Sequence, residues 1–186
     1  YCVDLATGTP IAAIRENTRV VSASTIKVSI LCCALQDVMD GKLSLDQPLA
    51  IAPGDFCSDT EVFEPGYRQD GASLWEMLYW MIVSSDNTAT NTVISLLGYD
   101  HVNQYCRAIG LTQTSLQRKM LDFQAIAEGR NNYTSPADLY RVFSRLYHGE
   151  ILNKPLREVA FDFLSRCRST DALQRYIPDA VTVLHK

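Results

Sequence analysis

Ser22-Ala23-Ser24-Thr25-Ile26-Lys27-Val28-Ser29-Ile30-Leu31-Cys32-Cys33-Ala34-Leu35-Gln36-Asp37-Val38-Met39-Asp40-Gly41 is the stretch on which the architecture turns. Ile26, Ile30, Ala34, Leu35 and Val38 recur at helical spacing and mark one face, and Gly41 stops the run. Upstream the pattern is different. Tyr1 to Leu5 and Ile11 to Val21 read as two strands joined by the turn-prone Ala6 to Pro10. The change from strand to helix falls at Ser24, so a serine stands at the start of the first helix, just beyond a hairpin over residues 1–22.

Downstream, residues 45–70 carry three prolines, two glycines and no sustained period, and read as an irregular excursion. Helical spacing resumes at about Ser73 to Val83, breaks at Ser84 to Asn87 and resumes to Leu97. A further helix is expected over Asp100 to Ile109. Another begins at Ser135, where an N-cap serine, Pro136 at the first helical position and Asp138 in the first turn reinforce one another. Leu139, Val142, Phe143, Leu146 and Tyr147 form its buried stripe, and Leu156, Val159, Ala160, Phe163, Leu164 and Cys167 repeat the pattern. Residues 181–186 hold the β-prone Val181-Thr182-Val183 and are expected to form a strand leading to Lys186. Strands at both ends with helices between them imply an α+β fold. Residues 1–186 read as one catalytic domain, with a helical region over 23–180 beside a sheet made from the first two strands and the last segment. So thin a sheet points to further strands after Lys186.

Composition removes several function classes. Lys plus Arg number 17 against 21 for Asp plus Glu, with no block of like charge, which excludes the basic stripe that a nucleic-acid partner needs. The longest apolar runs, Val28 to Leu35 and Leu78 to Val83, fall far short of the roughly 20 residues of a membrane-spanning helix. No Gly-rich phosphate loop is present. The six cysteines lack zinc-type spacing and read mostly as buried free thiols, and adjacent Cys32 and Cys33 are a poor disulfide pair. No His/Cys/Asp/Glu cluster shows metal-ligand spacing along the chain, so neither metal nor cofactor is expected. A Ser-His-Asp hydrolase is disfavoured too, since there is no Gly-x-Ser-x-Gly elbow and His101, His148 and His185 have no evident serine partner. The chain opens inside an expected strand with no Met-started signal segment, which reads as a processed or truncated N-terminus.

A serine hydroxyl becomes a useful nucleophile only beside a base. In Ser24-Thr25-Ile26-Lys27 the i to i+3 spacing puts both side chains on one helix face. Lysine serves as the base where burial or nearby positive charge lowers its pKa, and a helix N-terminus also aims the Ser24 N–H at a developing oxyanion. A Ser-x-x-Lys match arises by chance about once in a chain of average composition and this size, and an N-cap serine with a solvated lysine would read the same. Here it is the only match. Ser85-Asp86-Asn87 lies in the polar break between two helical segments, where it is either a helix cap or a projection of hydroxyl and amide into a cleft. His185-Lys186 ends the final run.

Taken together, these segments resemble the serine β-lactamase and penicillin-binding protein superfamily, especially class A β-lactamases, which use Ser-x-x-Lys, Ser-x-Asn and Lys-Thr-Gly motifs in this order. Separations of 61 residues from Ser24 to Ser85 and 101 from Ser85 to Lys186 are similar to class A spacing, as are the segments 22–28, 85–91 and 134–138. The resemblance implies an antiparallel sheet completed by later strands, an acylated Ser24, Lys27 as its base and Ser85 as a proton shuttle toward the leaving group. It implies further that Asn87 holds Lys27 and the substrate's amide, and that Lys186 helps place a substrate carboxylate. The implied partner is a small molecule, a β-lactam or an acyl-D-Ala-D-Ala-like peptide, acted on by a monomer in an extracytoplasmic location.

The resemblance fails at one place. Class A enzymes hydrolyse their acyl-enzyme with water activated by a loop glutamate, and that position falls here on Ala125, in a loop that leaves only 14 residues from Asp122 to Pro136. Glu128, the nearest acid, lies three positions late. Two outcomes follow for an acylated Ser24: turnover, as a β-lactamase or as an esterase or peptidase on the same scaffold, or a persistent adduct, as in a penicillin-binding or sensor module.

Overall fold

The computed structural model describes residues 1–186 apart from 59, 65, 67, 169–176 and 179. At its N-terminus β1 (Cys2–Val3) and β2 (Pro10–Ala12) form an antiparallel hairpin. Asp4 turns it, its Oδ1 accepting from Ala6 N at 2.8 Å and Thr7 N at 3.3 Å. The expected second strand over Ile11 to Val21 is interrupted. Arg15 takes a φ of 47° and Thr18 N closes a turn on Arg15 O, so the backbone leaves the ladder after Ala12. It re-enters one as β3 (Val20–Val21), paired antiparallel with Tyr133–Thr134. Alternating apolar residues advertise a strand but not its partner, which is why two separate strands read as one.

A 3₁₀ turn over Ala23–Thr25 leads into α1 (Ile26–Met39), and the helix stops before Gly41 as expected. The reading of one apolar face is corrected by the structure: all ten residues from Ile26 to Leu35 are buried. This is a central helix, apolar round its circumference, with four other helices packed on it. Lys27 is therefore driven into the interior by its position, since no face of the first ten residues of this helix is wet.

The irregular stretch holds β4 (Pro48–Leu49), paired with β5 (Ala72–Ser73). Gly71, with a φ of 99°, makes that approach possible, because a Cβ there would lie 1.9 Å from Leu49 O. Then come α2 (Leu74–Val83), capped by Ser73 accepting from Glu76 N, and α3 (Asn87–Leu97), capped by Asp86 accepting from Ala89 N. Next are α4 (Tyr99–Ala108) and the five-residue α5 (Phe123–Ala127), too short to declare itself by periodicity. β6 (Tyr133–Thr134), α6 (Pro136–His148) and α7 (Lys154–Ser165) complete the order. Ser135 caps α6 through its side chain as expected, and Cys167, expected on α7, is buried just past its end. Side-chain N-caps of this kind contribute about 1 kcal/mol each.

The last segment differs from expectation. Residues 181–186 have no ladder partner among the described residues, whose strands join only as β1–β2, β3–β6 and β4–β5. β-branched residues make a strand only against an available edge, and none is presented there. The segment is held instead by His185 N on Leu164 O and Lys186 Nζ on Ile82 O. All six cysteines are free, five of them buried. Among the described residues no helix is long and apolar enough to cross a membrane.

Candidate active site

Three segments far apart in sequence meet at the start of α1. The first is the 3₁₀ turn bearing Ser24, entered through β3, and Ser22 N donates to Asn132 O at 2.9 Å to extend the β3–β6 pairing up to the turn. Ala23, just before Ser24, has a φ of 45°. The second is the connection between α2 and α3, where Ser85 is held at a φ of 61°. Such backbone costs about 1–3 kcal/mol and persists only where surroundings enforce it.

At Ser85 the enforcement is visible. Asp86 Oδ2 accepts from Thr60 Oγ1 and from the backbone N–H groups of Glu61, Val62 and Phe63, while Oδ1 caps α3 at Ala89 N. Asp86 N donates to Trp80 O. The buried carboxylate thus locks the connection to the 60–63 segment and to α3. The sequence offered Ser85-Asp86-Asn87 as either a helix cap or a polar projection into a cleft, and the structure makes Asp86 the cap.

Lys27 Nζ, wholly buried, donates to Ser85 O at 2.6 Å, to Ser85 Oγ at 2.9 Å and to Asn87 Oδ1 at 2.9 Å. Ser85 Oγ donates in turn to Ser24 Oγ at 2.9 Å. Lys27, Ser85 and Ser24 therefore form one hydrogen-bonded chain from the interior to the half-buried Ser24 hydroxyl. Lys186 stands close by in the fold, its Nζ donating at 2.7 Å to Ile82 O, three residues before Ser85. Burial pushes its pKa down to about 8.

The third segment, 116–132, supplies the other wall. A cavity of about 290 Å³ at Ser24 is lined by Asn87 on one side and by Arg118, Met120, Leu121 and Ile126 on the other. Asn91 of α3 pins this loop, its Oδ1 accepting from Met120 N at 2.7 Å and its Nδ2 donating to Met120 O at 3.3 Å. Arg118 braces it through Asn131 Oδ1 and Lys119 O. Sequence reading missed these lining residues, because nothing in a Met or Leu announces which cavity it faces. Among the described residues no carboxylate lines this cavity. Ala125 is buried inside α5. Glu128 is turned to solvent, where Arg130 and then Gln124 hold its pKa below the usual carboxylate range.

The family model for the beta-lactamase enzyme family matches residues 1–186. The chain belongs to that family. A β-lactamase from Streptomyces cellulosae is 32% identical over 105 residues, which is 55% of this chain and 34% of the relative. Among solved structures, a mutant of PBP-A in an acyl-enzyme complex with penicillin G superposes with a TM-score of 0.77 at 28% identity, over 84% of this chain and 58% of PBP-A. An ancestral (GNCA) class A β-lactamase gives 0.81 at 29% identity, over 91% of this chain and 65% of its own length. The fold is thus that of the β-lactamase and transpeptidase family, of α+β class. This chain spans about a third of the curated relative and under two thirds of both solved structures.

Proposed function

We propose that this β-lactamase-family protein is acylated on Ser24 by β-lactams. The observation that carries the reading is the continuous hydrogen-bond chain from Lys27 through Ser85 Oγ to Ser24 Oγ. In the proposed step Lys27 reacts as the neutral amine: Ser24 Oγ attacks the lactam carbonyl carbon and its proton passes to the Lys27 nitrogen. Ser85 then relays that proton from Lys27 to the lactam nitrogen as the C–N bond breaks, which leaves an ester on Ser24 and returns Lys27 and Ser85 to their starting forms. The Ser24 N–H supports the developing oxyanion. Asn87 holds Lys27 and the substrate's side-chain amide, and Lys186 places its carboxylate.

Release of the acyl group needs a base on the opposite wall, and that wall is Met120, Leu121, Ile126 and a braced Arg118. This favours a persistent adduct, in the manner of a penicillin-binding module, over fast hydrolysis. The acyl-enzyme of the structurally similar PBP-A mutant with penicillin G supports the same substrate class.

Intact-mass spectrometry of the full-length protein after addition of penicillin G tests the reading. One drug mass should be gained, remain for many minutes, map to Ser24 and be absent from Ser24→Ala. A transient adduct with accumulating hydrolysed drug would replace the persistent reading by turnover, and no adduct at all would reject acylation.

A further inference from the structure

Away from the Ser24 cavity, α1 and α4 hold a second group of reactive side chains. Cys33 and Asp37 stand one turn apart on α1 and meet His101 of α4, with the sulfur, a carboxylate oxygen and an imidazole nitrogen all within 4.8 Å of one another. His101 Nε2 lies 2.7 Å from Asp37 Oδ2, and Lys42 Nζ donates to the other oxygen, Oδ1, at 3.0 Å. Cys33 is fully buried and Asp37 is 5% exposed, whereas the His101 side chain is 40% exposed. Sequence spacing concealed this arrangement, since 64 residues separate His101 from Asp37.

Packing alone explains a small residue at position 33. It does not explain a thiol set within 4.8 Å of both a buried carboxylate and an imidazole. A second sign points the same way. Tyr105, one turn after His101 on α4, has a buried hydroxyl with no hydrogen-bond partner among the described residues. This part of the α1–α4 interface is more polar than its packing satisfies.

We propose that Cys33 Sγ, Asp37 Oδ2 and His101 Nε2 form a three-ligand site for a divalent metal of the zinc class. One sulfur, one nitrogen and one carboxylate oxygen suit borderline-soft Zn²⁺ and exclude Ca²⁺ and Mg²⁺, which take oxygen ligands. Three protein ligands leave the fourth position to water, on the side where His101 opens to solvent, and the same opening is the entry path. Ligands at about 2.0–2.1 Å from zinc stand farther apart than the 2.7 Å of the His101–Asp37 contact, and a small rotation of the half-exposed imidazole supplies the difference. Lys42 holds Asp37 Oδ1 and so presents Oδ2 to the metal, the outer-shell arrangement that orients ligating carboxylates. Asp37 lies ten residues beyond Lys27 on α1, roughly 15 Å along the axis. The metal thus ties α1 to α4 and stays out of the chemistry at Ser24.

Titration of the chelator-stripped full-length protein with Zn²⁺ and, separately, Co²⁺ is the test. The expected result is one equivalent bound, a higher melting temperature, and a cobalt spectrum with thiolate charge-transfer absorption and tetrahedral ligand-field bands. His101→Gln, at a half-exposed position that should fold normally, should weaken binding more than about tenfold. Cys33→Ala should abolish the thiolate band, while Cys2→Ala, which removes the exposed thiol, should change nothing. Failure to bind one equivalent, a cobalt spectrum without the thiolate band, unaltered binding in His101→Gln, or loss of the band in Cys2→Ala would each overturn the proposal.

Discussion

The two walls of the Ser24 cavity are built on opposite principles. The helical wall is polar and cross-bonded: Lys27 is buried among Ser85 O, Ser85 Oγ and Asn87 Oδ1, and Asp86 fixes the connection that carries Ser85 with five accepted bonds. The loop wall presents Met120, Leu121 and Ile126 at the cavity, with Arg118 as its one charged lining residue among those described, and is braced from behind through Asn91, Asn131 and Asn132. A buried polar network is worth keeping only when its members are satisfied, and the helical wall meets that condition. If Ser24 is acylated as proposed, the difference separates two half-reactions. Under the proposed acylation of Ser24, groups that can move a proton are concentrated on one side, and the opposite side offers no carboxylate among the described lining residues.

The comparison breaks most visibly at Lys27. Lys27→Ala should slow adduct formation by about a hundredfold or more, since that is the usual cost of losing a general base. The rate of mass gain with penicillin G measures it, and a melting curve checks that the variant is folded. An unchanged rate would remove Lys27 from the base role and leave the helical wall a purely structural network.

How much of this was legible in the sequence follows the same division. Helices and caps at Ser73, Asp86 and Ser135 depend on neighbours within four residues, so the breaks at 84–87 and the start of α6 could be read directly. The juxtaposition of Ser24 with Ser85 could be anticipated only because the motifs stand at separations resembling a known family. Strand pairing depends on distant edges, and there the reading failed: residues 11–21 broke into two strands with different partners, and 181–186 found none among the described residues. The loop wall was legible only as something lacking, an alanine where a glutamate was expected. Which residues replace it at the cavity is set by the turn at Leu121, with a φ of 59°, and by the short α5, neither of which leaves a periodic trace.

The loop wall can be altered where it is most tolerant. Ile126 lines the cavity yet is 39% exposed, so a carboxylate there costs little desolvation. Ile126→Glu should leave the acylation rate nearly unchanged and speed loss of the adduct by about tenfold, below the full range for a well-placed general base because nothing positions the new carboxylate. Pre-forming the adduct, removing free drug and following the return to unmodified mass isolates this step. If release is unaffected while acylation falls, the loop wall serves binding, and the division between half-reactions is wrong.

The smallest effect concerns Lys186, whose amine is held near the end of α2. Its amine is held on Ile82 O, and burial pushes its pKa down to about 8, so its positive charge is present below that pH and lost above it. If Lys186 attracts the substrate carboxylate, the apparent affinity preceding acylation should fall as pH rises from about 7 to about 9. A partly screened ion pair is worth no more than about 1 kcal/mol, which sets the change at about fivefold. The rate constant at saturating drug should not share this dependence, because Lys27, Ser85 and Ser24 carry that step. Lys186→Arg, which keeps its charge throughout the range, should flatten the affinity profile. A wild-type profile that is flat, or one in which the saturating rate falls instead, would move Lys186 out of substrate placement and into the proton network.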